Sequence, residues 1–212
     1  QRLSPDGLKP IEELQLCRKE LTRQRGVLSN LVQHELRPAL MAEGISILDH
    51  NDLRESQKKK LDLYFSRFVQ PILSPLAVDI GHPFPFISSL SLNLAITVHR
   101  ADLNQPLFIR LKVPTNRPRW VKVAEAGFVP LEQLMEANLE QLFPQSTKIE
   151  CHLFRVIRGA KDDPWDHYPD KNHEESEYEP GGLIDMVSGE LTARRFAGVV
   201  RLQVSKECPM IL

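Results

Sequence analysis

The sequence predicts an α+β protein, with an N-terminal antiparallel helical hairpin followed by a largely antiparallel sheet and flanking helices. Three observations predict it. Apolar residues recur at helical spacing through the first 70 residues, strict period-two alternation begins at residue 90, and isolated helical stretches separate the alternating segments.

The first helix is expected over residues 10–36. Leu14, Leu21 and Leu28 repeat at seven-residue spacing, and Ile11, Cys17 and Leu31 widen the same apolar stripe. Pro10 suits a first turn because its missing N–H has no intrahelical partner there, and Glu12 and Glu13 complement the helix dipole. Pro38 kinks or restarts the helix and Gly44 ends it. A second helix follows, with Asp52 as cap and Glu55 placed to close a capping box. Leu53, Leu61, Tyr64, Phe65 and Phe68 supply its buried face, and Pro71 and Pro75 end it.

Beyond residue 90 the period changes. Leu90, Leu92, Leu94, Ile96 and Val98 alternate with Ser91, Asn93, Ala95, Thr97 and His99, which is a strand pattern. Residues 107–113 alternate likewise, with Arg110 and Lys112 on one face and Ile109, Leu111 and Val113 on the other. Residues 151–158 and 199–204 complete four expected strands. Leu131, Leu134, Met135, Leu139 and Leu142 mark a helix between Pro130 and Pro144, and another is expected from about Leu183 to Phe196. The segment 159–182 holds eight acidic residues and three prolines with almost no aliphatics, so it reads as a loop that is mobile at 160–180. The domain boundary is placed between residues 75 and 76, giving a helical domain over 1–75 and a sheet domain over 76–212.

Composition narrows function. The 212 residues carry 27 Lys+Arg against 28 Asp+Glu, so the chain lacks the basic excess of a dedicated nucleic-acid binder. Cys17, Cys151 and Cys208 are sparse and odd in number, which reads as reduced thiols in a cytoplasmic protein. No apolar run reaches the roughly 18–20 residues that span a bilayer. No phosphate-binding GxxxxGK[ST] loop, GxGxxG or GxSxG is present. His173-Glu174-Glu175-Ser176-Glu177 begins like HExxH but has Glu177 where the second His belongs, and Asp162, Asp163, Asp166, His167 and His173 read as a solvated acidic loop. No metal site and no catalytic set is assigned.

One local imbalance stands out. Arg100, Arg110, Lys112, Arg117, Arg119 and Lys122 face a single acid, Asp102, across 23 residues. Arg110, Lys112, Arg117 and Arg119 are candidate contacts for a polyanion, held by summed Coulomb attraction. A solvated strand face that blocks edge association is the competing reading. His82-Pro83-Phe84-Pro85-Phe86 reads as a rigid connector, because two prolines force extended backbone while two phenylalanines seek burial.

These last residues also carry a resemblance. Pro71-Ile72-Leu73-Ser74-Pro75-Leu76-Ala77-Val78-Asp79, then His82-Pro83-Phe84-Pro85-Phe86 and Ser91-Leu92-Asn93-Leu94-Ala95, resemble the junction and first head-domain strand of the larger, phosphohistidine-using bacterial polyphosphate kinases. Leu3-Ser4-Pro5-Asp6-Gly7-Leu8, Leu111-Lys112-Val113-Pro114, Phe128-Val129-Pro130-Leu131-Glu132, Leu153-Phe154-Arg155-Val156 and Arg194-Arg195-Phe196 agree in order. Ser89 departs from the family's usual Asn. The resemblance implies the end of an N-terminal helical domain and most of a head (middle) domain. It also implies a parent enzyme that transfers the terminal phosphate of ATP reversibly to polyphosphate, with Mg²⁺ and a phosphohistidine. It places that histidine beyond Leu212, contact with ATP/ADP in other domains, and homo-oligomer formation in the head domain. The fragment alone is therefore expected to be inactive. A stand-alone polyanion-binding or assembly module is the alternative.

Overall fold

The expected N-terminal helix is α1 (Pro10–Leu31), whose first turn opens on Pro10. The Glu12 carboxylate accepts the Lys9 backbone N–H at 2.8 Å, satisfying one donor outside the helix start. Pro38 acts as expected, and its mechanism is visible: a widened turn at Val32–Leu36 lets the Arg37 N–H pair with the Val32 carbonyl, and α2 (Arg37–Ala42) then restarts with Pro38 in its first turn. Gly44 takes φ +77° and closes α2, with the Ile45 N–H on the Leu40 carbonyl and the Gly44 N–H on the Met41 carbonyl. The apolar stripe is present in sequence, yet α1 has no buried residue.

The computed structural model describes residues 6–78, 85–124, 127–159 and 198–209. The expected acidic loop at 160–180, the helix over 183–196 and most of the His82–Phe86 connector lie outside the described residues. Two compact units form, one from residues 1–57 with 120–130 and the other from residues 58–119 with 131–212.

In the first unit, β4 (Trp120–Val123) and β5 (Gly127–Pro130) form an antiparallel hairpin that the sequence reading did not anticipate. The segment after α2 runs beside it: the Phe128 N–H donates to the Ser46 carbonyl and the Leu48 N–H to the Phe128 carbonyl, each at 2.8 Å. Gly127 is required here, because its φ is +133° and a Cβ would lie 2.3 Å from the Ser46 carbonyl oxygen. Arg37 reinforces the join by donating to the Ile47 carbonyl at 2.6 Å.

The second helix starts later than expected. Asp52 lies in a short 3₁₀ turn (His50–Asp52), and α3 spans Glu55–Tyr64. The Gln57 side chain reaches back to a backbone N–H, that of Arg54. A wide turn at Phe65–Val69 then shifts the helical phase, so Phe65 and Val69 are fully buried while Phe68 is exposed. Phe68, expected in the core, instead leans on Tyr64 with ring centroids 5.4 Å apart.

The second unit is built on a five-stranded antiparallel sheet in the order β1-β3-β2-β6-β7, comprising β1 (Leu76–Val78), β2 (Asn93–Arg100), β3 (Leu107–Lys112), β6 (Ser146–Arg158) and β7 (Val199–Val204). With α1 and its neighbours ahead of it, the chain is α+β. The strand expected from Leu90 begins at Asn93. Ser88 and Ser91 close a turn through the Ser91 N–H and hydroxyl, both on the Ser88 carbonyl, and Leu90 is held there at φ +62°. Leu94, Ile96 and Val98 of β2 face the same side as Ile109 and Leu111 of β3, and all five are buried. Leu131, Leu134, Met135 and Leu139 are buried in α4 (Leu131–Ala137) and α5 (Leu139–Leu142). These two helices replace the single one expected. The break falls at Asn138, whose buried amide donates to the Leu134 carbonyl and to Asp62.

Candidate functional site

Period two along β3 places Arg110 and Lys112 on one face, as the alternation predicts. Register does the rest. Lys112 lies directly opposite Asn93 on β2, and Arg110 opposite Ala95, so Arg110 and Asn93 are diagonal neighbours. The Arg110 Nε donates to the Asn93 Oδ1 at 2.8 Å. Asn93 is fully buried, and Arg110 is 8% exposed.

A guanidinium only donates, which fixes the Asn93 amide: its oxygen must face Arg110 and its nitrogen must turn the other way. That nitrogen donates to the Ser91 carbonyl at 2.8 Å and to the Ser91 hydroxyl at 3.1 Å. The Ser91 hydroxyl in turn donates to the Ser88 carbonyl at 2.7 Å. The turn that displaces Leu90 from the strand is therefore the anchor of a polar chain ending at Arg110. Burial pulls the Arg110 pKa below its ordinary value, since a low-dielectric setting disfavours the charged form.

The other sequence-predicted cations stand elsewhere. Arg117 donates from Nε to the Phe68 carbonyl at 3.0 Å. Arg119 pairs with Glu132 of α4 at 2.7 Å. Arg100 pairs with Asp102 at 2.7 Å and reaches Gln145. Lys122 belongs to the other compact unit. The structure thus brings Arg110 and Lys112 together and ties Arg117 and Arg119 to separate partners. Asn93 was missed as a site residue. Its one sequence signal is an amide flanked by Leu92 and Leu94 in a strand where both faces are buried.

The apolar side of this face has its own cluster. Ile87, Ala95, Phe154 and Val156 are buried together, with Phe108 against them. A cavity of about 280 Å³ is lined by Ala95, Phe108, His152, Phe154, Leu202 and Val204, among others. Above Ile87, the Arg158 guanidinium lies 4.2 Å from the Phe86 ring centroid and donates to the Ile87 carbonyl. Phe86 is the end of the Pro-Phe connector, and this contact fixes that end to β6.

With that geometry in place, comparison with known proteins is decisive. The family model described as polyphosphate kinase middle domain matches residues 56–212. The chain belongs to the polyphosphate kinase family. Polyphosphate kinase 1 of Chlorobaculum tepidum is 36% identical over 96% of this chain, which covers 29% of that relative. A polyphosphate kinase of Mycolicibacterium gilvum is 38% identical over 96% of the chain, covering 27% of the relative. That of Aphanizomenon baltica is 38% identical over 98%, covering 54%. The chain therefore spans under a third of the first two relatives and about half of the third. The crystal structure of polyphosphate kinase from Porphyromonas gingivalis superposes with a TM-score of 0.64 over 85% of this chain, 29% of that one, at 19% identity, so it shares the fold.

Among the described residues, no three His, Cys, Asp or Glu side chains gather to hold a metal ion. Nor is any described helix long and apolar enough to cross a membrane.

Proposed function

We propose that the parent of this chain transfers the terminal phosphate of ATP reversibly to polyphosphate, and that residues 1–212 supply a non-catalytic portion of it. The observation that carries this reading is the similarity to named polyphosphate kinases along almost the whole chain, while the chain covers only part of each. Phosphoryl transfer needs a nucleophile, a metal-held donor and cations about the moving group. In this reading those parts lie in other segments of the parent, with Mg²⁺ and the phosphohistidine. Arg110, Lys112, Arg117 and Arg119 contribute contacts to the polymer.

The sheet domain also supports self-assembly in this reading. β7 is the outermost strand of the five and exposes Val199, Val200, Leu202 and Val204, an apolar edge that a second copy would cover.

Two measurements test the two parts. The parent enzyme, given ATP, Mg²⁺ and a polyphosphate primer, should extend the polymer, whereas the 212-residue chain should not. Polymer growth by the chain alone, abolished by substituting one of its own residues, would overturn the non-catalytic assignment. In sedimentation, parent carrying Leu202→Glu with Val204→Glu should shift toward monomer. An unchanged oligomer would move assembly to another surface.

A further inference from the structure

Arg110 presents an electrostatic imbalance that the polypeptide around it does not resolve. Buried guanidinium groups are ordinarily matched by a carboxylate, because an uncompensated charge in a low-dielectric interior is strongly unfavourable. Here the described residues offer one neutral acceptor, the Asn93 Oδ1 on Nε. Among the described residues Arg110 forms no ion pair, and neither does Lys112.

The polar chain behind Arg110 is already committed and holds no negative charge. Asn93 commits its nitrogen to Ser91 and its oxygen to Arg110, and Ser91 commits its hydroxyl to Ser88. Holding a guanidinium by Nε alone fixes its plane and leaves the two Nη groups as a fork. That fork matches two oxygens of one oxyanion. Lys112 is two residues along the same strand face, about 6–7 Å away, and adds a second positive charge without a fixed geometry. Two cations facing no described acid are better balanced by a multiply charged anion than by a single carboxylate.

We propose that Arg110, positioned by Asn93, is the seat of a phosphate-class oxyanion, with Lys112 as its second cation. The ligand class rests on the polyphosphate reading above, and the seat narrows that reading from a basic stretch to one built site. Asn93 is a positioning residue here: it orients the fork and does not touch the anion.

The test is calorimetric titration of the 212-residue chain with tripolyphosphate at low salt, with folding checked by circular dichroism. Asn93→Asp puts a carboxylate where the amide oxygen stands, so the guanidinium is neutralised from within. It should lower affinity at least about tenfold while the fold is retained, as an internal charge-assisted pair competes with the ligand. Arg110→Met should do the same and serves if Asn93→Asp does not fold. Arg155→Gln, an equal loss of charge elsewhere on the sheet, should stay within about twofold because exposed charges are screened. A folded Asn93→Asp or Arg110→Met chain that binds like wild type overturns the seat. If the Arg117→Gln, Arg119→Gln double variant loses binding in that case, polyphosphate contact stands and only the seat falls. Wild type that binds no tripolyphosphate at low salt overturns both. Tighter binding of succinate than of tripolyphosphate would assign the fork to a carboxylate from another segment and overturn the phosphate assignment.

Discussion

The two faces of β2 and β3 both carry buried residues and differ in what burial asks of them. On one face Leu94, Ile96, Ile109 and Leu111 are each at most 4% exposed, and apolar contact suffices. On the other, Asn93 and Arg110 are as deeply placed, but a polar group needs a partner for every donor and a charge needs a counter-charge. Burial shows itself on both faces as a shifted titration. Cys151, opposite Ile96, has its thiol pushed up to about 12 by burial and then by the Glu136 carboxylate, and Arg110 is pulled down by burial. The lesson is that equal burial does not mean equal self-sufficiency. The apolar face is finished by its own residues, whereas on the polar face no described acid pairs with Arg110.

The largest expected effect is on the apolar face. Leu111→Ala removes a fully buried side chain next in sequence to Arg110 and should cost about 2–5 kcal/mol of unfolding free energy in urea. Tripolyphosphate affinity of the folded fraction should hold. A loss below about 1 kcal/mol would mean that this face is not the core.

Cys151 sharpens the same contrast through pH. Its thiol has an ordinary pKa of 9.0 and a folded value of about 12, so the folded state favours the neutral form. The resulting stability is present below pH 9 and is lost as pH rises toward 12. At pH 8, alkylation of Cys151 in the folded chain should be at least about tenfold slower than that of exposed Cys17. Equal rates, followed by mass spectrometry of the peptides, would place Cys151 outside the buried face.

Much of this fold was legible because its signals are local. Alternation located β2, β3, β6 and β7, Pro38 and Gly44 located the interruptions of the first helix, and the apolar spacing between Pro130 and Pro144 located the region of α4 and α5. Misreadings arose where a contact distant in sequence decides. Trp120–Val123 and Gly127–Pro130 are four-residue strands, too short for alternation to register; they pair with each other, and Phe128 pairs with residues 46–48. Phe68 kept its helical spacing on paper, but the wide turn at Phe65–Val69 rotated it outward. Leu90 extended the alternation by chance of type, and serine hydrogen bonds took it into a turn. At the candidate site, period two put Arg110 and Lys112 on one face. Asn93 was invisible as their partner, because register across strands is set by tertiary pairing.

The most direct measurement is the unfolding free energy of Arg110→Met in phosphate-free buffer, compared with wild type. If the guanidinium is an unmatched charge awaiting an anion, replacing it with an apolar side chain of similar length costs no more than about 1–3 kcal/mol, the penalty of leaving the buried Asn93 Oδ1 without its donor. Tripolyphosphate should then raise the melting temperature of wild type and leave the variant where it was. A loss of about 3–5 kcal/mol without any anion present is the signature of breaking a buried pair that was already complete, and would contradict the account.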